Sequence, residues 1–346
     1  MNTDQIGEAV REEKTKTKAI ALLSGGLDST LAVRLMLDQG IHVEALNFVT
    51  PFCTCDRGGD GCAARRAADE AGIRCKTVAV TDELFDAIRD PKHGYGSEMN
   101  PCLDCRILMF SKARDRMEET EAAFVFTGEV LGQRPMSQRS AAMRIIDIES
   151  GLEDRVLRPL SAQHLEPTVV EEEGLVDRSR LLALQGRSRG PQMSLAKTYG
   201  VTDYPCPAGG CRLTDPNFAR RMRDLLEFDR DFGINDVNLL KVGRHFRLSA
   251  KAKAVAGRDE DENHRILGLA QEEDLLFEVK GCGSPVTLLR GSSDEGVIRL
   301  AAAITARYSD AEANDVRVHF GRTNERLDRS VVVPPADQDT LADLRL

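Results

Sequence analysis

The chain has 346 residues, 41% hydrophobic and 30% charged, with a net charge of −9 and nine cysteines. That length favours two domains with cores of their own, and the composition excludes a disordered or fibrous chain. No apolar run reaches the ~18 residues that a membrane-spanning helix needs, so no membrane partner is expected.

Residues 1–17 are polar and charged, with no apolar stretch of the kind a secretory leader carries, and read as an N-terminal tail. The chain is therefore expected to be cytoplasmic, where cysteines serve metal or thiol chemistry rather than disulfides. The negative balance also argues against indiscriminate adhesion to nucleic acid.

The apolar run 19–23 reads as a strand, followed by Ser24-Gly25-Gly26-Leu27-Asp28-Ser29 and a helix from about 29 to 39. A strand that turns into a helix through Ser-Gly-Gly leaves successive backbone N–H groups aimed at one spot, and the helix's positive end favours an anion there. Gly25 and Gly26 are both expected to adopt φ > 0 and to let the backbone approach closely. No Gly-Lys-Ser/Thr follows, so this is not a Walker loop. Residues Ser24, Gly25, Gly26, Leu27, Asp28 and Ser29 are the candidate phosphate cradle for ATP, with Asp28 helping to place Mg²⁺ or pyrophosphate.

A second strand at 43–49 carries Asn47 to the same sheet edge and is followed by Cys53, Cys55 and Cys62. That C-x-C relays sulfur, binds a second metal, or is a loop with tolerated thiols. A helix at 63–71, a strand at 75–80, a helix at 106–119 and a strand at 123–127 continue the alternation. The expected fold is α/β, a doubly wound parallel sheet over 18–165 with its ligand site at the carboxyl ends of the strands. Thr127, Gly128 and Gln133, with Ser137 and Gln138, follow the last of these strands and can line the nucleotide pocket.

Cys102 and Cys105 form a C-x2-C pair where the 106–119 helix begins, a place where backbone amides favour a thiolate. A pair alone holds no metal. A further ligand is expected from Cys211, with Cys206 as the alternative or fourth, both in the Pro- and Gly-rich loop 203–216. Gly209-Gly210 gives Cys211 the freer approach. Three cysteines suit a [4Fe-4S] cluster with one open iron, four suit structural zinc, and a redox disulfide stays open as a third reading.

Residues 166–230 read as a helical and loop extension, carrying Cys206 and Cys211. The domain boundary is placed near Asp231, with a smaller α+β domain over 231–332 and a C-terminal tail at 333–346. In it, Lys241, Arg244, Arg247, Lys251, Lys253 and Arg258 occur without an intervening acidic residue, before Asp259 to Glu262 restore the balance. This island is either a phosphate-binding surface or an ordinary solvated one.

SGGLDS, then TGEVLGQRPMSQ, then Val156-Leu157-Arg158-Pro159-Leu160 together resemble the PP-loop catalytic domain of tRNA 4-thiouridine synthetases of the ThiI type. NPCLDCR is similar to the corresponding region of tRNA 2-thiouridylases, and C-x2-C plus a distant cysteine resembles cluster-dependent tRNA thiolases. The segment from Lys241 to Arg290 more loosely resembles the RNA-binding domain of NFACT proteins. The tRNA-gripping THUMP region of ThiI enzymes is not found before the PP-loop.

The resemblance implies an ATP-dependent tRNA sulfurtransferase. ATP adenylates the carbonyl oxygen of a flipped-out uridine, pyrophosphate leaves, and sulfur replaces the oxygen with release of AMP. Asp28 and Cys211 are the implied catalytic residues, and the basic island is the implied tRNA surface. Implied partners are tRNA and a sulfur donor, either free sulfide or a cysteine desulfurase, and a homodimer is compatible with the sequence. Three rivals stay open: a cluster-free persulfide route, an RNA-binding protein that only senses ATP, and an adenylating PP-loop enzyme acting on a small molecule.

Overall fold

A computed structural model describes residues 17–54, 62–204, 210–323 and 327–346. Two compact units are present. The first comprises Met1–Gly94 with Pro101–Gly210, the second Tyr95–Asn100 with Cys211–Leu346.

The first unit is a five-stranded parallel sheet of β1 (Lys18–Leu22), β2 (His42–Val49), β3 (Arg74–Ala79), β4 (Phe124–Thr127) and β5 (Val156–Leu157), in the order β3-β2-β1-β4-β5. The side chains alternate across it. Ala19, Ala21, Phe124 and Phe126 pack on one face with helices α1 (Leu27–Asp38) and α2 (Ala63–Ala71). Ile20 and Val125 pack on the other with α4 (Cys102–Glu119) and α5 (Ser140–Glu149), after the shorter α3 (Thr81–Arg89). This is the expected doubly wound α/β layer structure. The strand order reverses between β1 and β4, and the carboxyl ends of strands at such a reversal are where open α/β sheets hold ligands.

Residues 166–204 join this unit's core rather than forming an appended extension. Val170 of α6 (Val169–Glu172), Val176, Leu181, Ala196 of α7 (Gly190–Thr198) and Val201 are buried in the same cluster as α1. Their apolar positions are sparse in sequence, so the polar majority hides the packing face.

The second unit is a six-stranded antiparallel sheet in the order β11-β10-β8-β9-β7-β6. Helices α8 (Pro216–Phe228) and α9 (Ile234–Leu239) precede the hairpin of β6 (Arg244–Ser249) and β7 (Ala252–Ala256). Then follow α10 (Glu260–Leu269), β8 (Leu275–Val279), β9 (Thr287–Gly291), α11 (Glu295–Arg307), β10 (Val316–Arg322), β11 (Arg329–Val333) and α12 (Gln338–Leu344). The division falls after Gly210, not near Asp231, because α8 is held to β6 and β7 by buried charge described below. The segment 333–346 also differs from a tail: Leu341 is buried in the core and Leu346 N–H donates to His245 O.

No helix among the described residues is long and apolar enough to cross a membrane. Cys55, Cys206 and most of the expected N-terminal tail lie outside the described residues.

Candidate nucleotide site

The cradle forms at the end of β1. Helix α1 begins at Leu27, two residues earlier than expected, with Gly26 as its N-cap. The two glycines divide the work. Gly25 has φ +75°, and a Cβ there would sit 2.3 Å from the Ala63 carbonyl carbon at the start of α2. Gly26 is extended, φ −75°, and a Cβ would meet only Ser24 Oγ at 3.4 Å. The expectation of φ > 0 thus holds for Gly25 and not for Gly26, whose role is to open the helix. Across the crevice Gly128 abuts the same turn: its Cβ would lie 2.4 Å from Asp28 C and from Ser29 N. Ser24 and Ser29 hydroxyls are 3.2 Å apart, and Ser29 Oγ donates to Gly26 O at 2.9 Å. The result is a backbone pocket at a helix N-terminus, rimmed by hydroxyls, the arrangement that binds phosphate.

Asp28 is the hub. Gln133 Nε2 donates to its Oδ2 at 3.0 Å, and Arg189 Nη2 lies 3.8 Å from the same oxygen. Its Oδ1 is shut off from solvent and has no hydrogen-bond partner among the described residues. An orphaned carboxylate oxygen beside an anion cradle fits a Mg²⁺-nucleotide. Arg134 is open to solvent by area, yet its guanidinium sits low enough in the crevice that desolvation, then repulsion from Arg106, lowers its pKa.

The other expected pocket residues are partly engaged. Asn47 is buried and donates to Cys62 Sγ at 2.9 Å, at the N-cap of α2. Thr127 is buried and its hydroxyl accepts from Glu129 N–H at 3.1 Å, which shapes the turn instead of facing a ligand. Ser137 and Gln138 are buried, and Ser137 Oγ and Gln138 Oε1 have no partner among the described residues. Sequence reasoning missed Glu129 and the role of Arg158. Arg158 forks onto Asp147 at 2.8 and 2.7 Å and donates from Nε to Glu129 at 3.1 Å, tying the loop after β4 to β5 and α5. The sign was an arginine inside an apolar strand motif, which must find counter-charge.

Cys102 and Cys105 occupy the first turn of α4, three residues apart and thus on one face, both half-buried. Cys211 opens the second unit, capping a short turn at Arg212–Thr214. Among the described residues no three His, Cys, Asp or Glu side chains assemble into a metal-binding group. Cys102 and Cys105 are thus two thiols on one turn, and the described residues bring no third metal-ligating side chain to them.

Residues 14–169 match the family model of "Thiamine biosynthesis protein (ThiI)", and residues 243–345 that of "NFACT protein RNA binding domain". Ser24 to Ser29, Gly128, Gln133 and Arg158 fall within the ThiI match, and Arg189 lies beyond it. The chain is 28% identical over 141 residues to a tRNA-specific 2-thiouridylase MnmA of Marinobacter nauticus, covering 38% of this chain and 36% of the relative. It is 30% identical over 137 residues to a probable tRNA sulfurtransferase of Methanosarcina mazei, covering 37% and 32%. The chain thus spans about a third of the length of these curated relatives. Among solved structures, a 4-thiouridine synthetase in complex with RNA and bound ATP aligns at 21% identity and a TM-score of 0.33, covering 65% of this chain and 52% of that one.

In the second unit the basic island proves to centre on the β6–β7 hairpin, and its charges mostly turn inward. Arg247 and Lys253 are direct cross-strand partners, a repulsive pairing unless compensated. Asp224 of α8 compensates it, accepting from Arg247 at 2.8 and 2.6 Å and from Lys253 at 3.3 Å. Arg244 lies 4.5 Å over the Tyr308 ring, Lys241 donates to Asn238, and Arg258 pairs with Glu262. Of the expected RNA-binding residues, Lys251 and Arg258 remain exposed. His245 is fully buried, and burial, reinforced by Lys253, holds its pKa well below the usual value.

Burial, then Arg247, outweighs the attraction of Asp224 and pushes Lys253 down to about 8. Between pH 8 and about 10.4 the unfolded chain binds this proton and the folded one does not, so stability rises with pH there, by at most about 1.4 kcal/mol per pH unit. Lys253→Met is expected to flatten that slope. Urea midpoints at pH 7.5, 8.5 and 9.5 test it, and parallel pH profiles for both proteins would refute the assignment.

Proposed function

We propose that this chain is an ATP-dependent tRNA sulfurtransferase that adenylates a uracil carbonyl oxygen and replaces it by sulfur. The observation that carries the reading is the cradle itself, a helix N-terminus rimmed by the Ser24 and Ser29 hydroxyls with a buried Asp28 oxygen beside it that has no partner among the described residues. The name-bearing relatives, which match only part of their length, support the substrate class.

Ser24, Gly25, Gly26, Leu27, Asp28 and Ser29 would receive the ATP phosphates, and Asp28, with one buried oxygen that has no partner among the described residues, would hold Mg²⁺. The uridine oxygen attacks the α-phosphorus, the bond to the β-phosphate oxygen breaks, and pyrophosphate leaves. Backbone N–H groups and arginines of the crevice stabilise the charge that gathers on the phosphates. A sulfur nucleophile on the Cys102–Cys105 side then attacks the activated carbon, and AMP departs with the oxygen. Cys102 and Cys105 would hold two corners of a [4Fe-4S] cluster, and Cys211 is the third ligand that the sequence resemblance implies. A bound cluster would supply an open iron for sulfide. What this chain's own residues do in adenylation is the same for either sulfur carrier. The exposed Lys251 and Arg258 of the NFACT-type domain contribute phosphate contacts that position tRNA without reading its sequence, in a cytoplasmic setting.

Anaerobic protein, ATP, bulk tRNA and sulfide should yield AMP and a thiouridine in equal amounts, read by nucleoside mass spectrometry. Cys102→Ala should retain pyrophosphate release and lose at least ~100-fold of thiouridine formation, about 2.7 kcal/mol of barrier. Unchanged thiolation by Cys102→Ala, or no thiouridine from the wild type, would refute the proposal.

A further inference from the structure

Helix α7 runs beside α1 with the same polarity. Near the start of α1, Asp28 lies 3.8 Å from Arg189, the N-cap of α7; at its end, Asp38 accepts from Tyr199, the C-cap of α7, at 2.6 Å. Two helix N-termini therefore open on one crevice, and their dipoles add.

The chain aims α7 there by a specific route. Gly186 N–H donates to Leu131 O at 2.7 Å, and Leu184 N–H to Leu160 O at 2.8 Å. Ser161 bridges the two, accepting from Leu131 N–H and donating to Leu184 O. Segment 182–186 is thereby fixed to the loop after β4, and Arg189 follows three residues later, over the cradle.

Two orphaned side chains mark the place. Arg189 Nε is shut off from solvent and has no partner among the described residues, and the Arg189 Nη2 to Asp28 Oδ2 contact is long, at 3.8 Å. Gln192 is 1% exposed, yet neither Nε2 nor Oε1 has a partner among the described residues. It stands three residues on from Arg189, in the first turn of α7. A buried amide with both ends unpaired costs about 1–3 kcal/mol for each unmet group, a cost that a polar ligand relieves.

We propose that Arg189, with Gln192 behind it, is a second phosphate-binding element, supplied by α7, that grips the polyphosphate of the nucleotide opposite the cradle. The proposal rests on the reading of the crevice as an ATP site. Without nucleotide, Arg189 leans on Asp28; with Mg²⁺-ATP, Asp28 serves the metal and the guanidinium fork engages phosphate oxygens. Sequence gave no hint of this, since Arg189 lies 161 positions from Asp28 in a polar stretch.

Equilibrium binding of Mg²⁺-ATP and of adenosine to the full chain tests it, without tRNA. Arg189→Ala should weaken ATP binding ten- to a hundredfold, change adenosine binding less than twofold, and leave the Tm of the nucleotide-free protein nearly unchanged. Arg189→Lys should fall between, keeping charge without the fork. Gln192→Leu should raise the nucleotide-free Tm and shrink the rise that ATP induces. ATP affinity of Arg189→Ala within twofold of the wild type, or a full ATP-induced rise in both Arg189→Ala and Gln192→Leu, overturns the proposal. Neither result bears on thiolation, whereas tight, Arg189-dependent ATP binding without any thiouridine product would sink the sulfurtransferase reading alone.

Discussion

Gly25→Ala and Gly128→Ala should each destabilise the first unit by about 3 kcal/mol or more and abolish nucleotide binding, while Gly26→Ala leaves the fold intact. The contrast lies within one dipeptide. At Gly25 a methyl group would strike the Ala63–Ala64 backbone, with contacts of 2.3 and 2.4 Å, on a residue already at φ +75°. At Gly128 it would strike the backbone between Asp28 and Ser29 at 2.4 Å. Neither obstacle is a flexible side chain, so the first turn of α1 or of α2 must move, and the cradle is built from those turns. Gly26 has an ordinary extended conformation and a single contact at 3.4 Å with a serine hydroxyl. For a unit of this size about 3 kcal/mol corresponds to roughly 6–12 °C in Tm. Thermal melts of the three variants, with and without ATP, separate the cases, and equal Tm values for Gly25→Ala and Gly26→Ala would refute the packing argument.

The same dipeptide shows how far sequence reaches. Gly-Gly after a strand announces a tight turn into a helix, and β1, α1 and β2 fell where the apolar periods of two and 3.6 residues placed them. The helix at 63–71 was legible to the residue, since Cys62 caps it and Gly72 ends it with φ +68°. Which glycine needs positive φ was not legible, because that depends on α2, which lies almost forty residues further along the chain. The hairpin β6–β7 was illegible for a related reason. Its alternation of His245, Arg247 and Lys253 looks like a solvated strand, and only Asp224, more than twenty residues upstream, turns those charges inward. Charge pattern reports composition along the chain, whereas burial depends on a partner that a local window does not contain.

The candidate site divides along the same line. Ser24 to Ser29, Gly128 and Gln133 were legible because backbone geometry and a strand-end position define them. Arg189 and Gln192 were not, since α7 reaches the crevice through tertiary hydrogen bonds to Leu131 and Leu160. The thiols Cys102 and Cys105 were legible as a pair, and α4 begins a turn earlier than expected, which puts both on its first turn.

Replacing Arg158 should be the most damaging single change away from the cradle. Its side chain is 4% exposed, that of Glu129 3% and that of Asp147 18%. Burial opposes the charge on Arg158, but the Asp147 fork and the field of Glu129 outweigh it and raise the guanidinium pKa. Arg158→Met leaves two buried carboxylates without their cation, a loss of about 3–5 kcal/mol when one partner of a buried pair is removed. Burial already raises the Asp147 pKa against the pull of Arg158, and without that fork it rises further, so the stability of the variant is greatest at low pH and falls as pH rises from about 4. The gap in unfolding free energy between Arg158→Met and the wild type should therefore widen between pH 5 and pH 8, and Arg158→Lys should show a smaller gap with less pH dependence. Because the same arginine fixes the turn at Glu129 that leads to Gln133, the Gln133–Asp28 contact loosens too, and ATP affinity should drop at least tenfold in Arg158→Met. A pH-independent gap would mean that Glu129 and Asp147 find other cations when Arg158 is gone, with Arg106, 3.7 Å from Glu129, the first to examine.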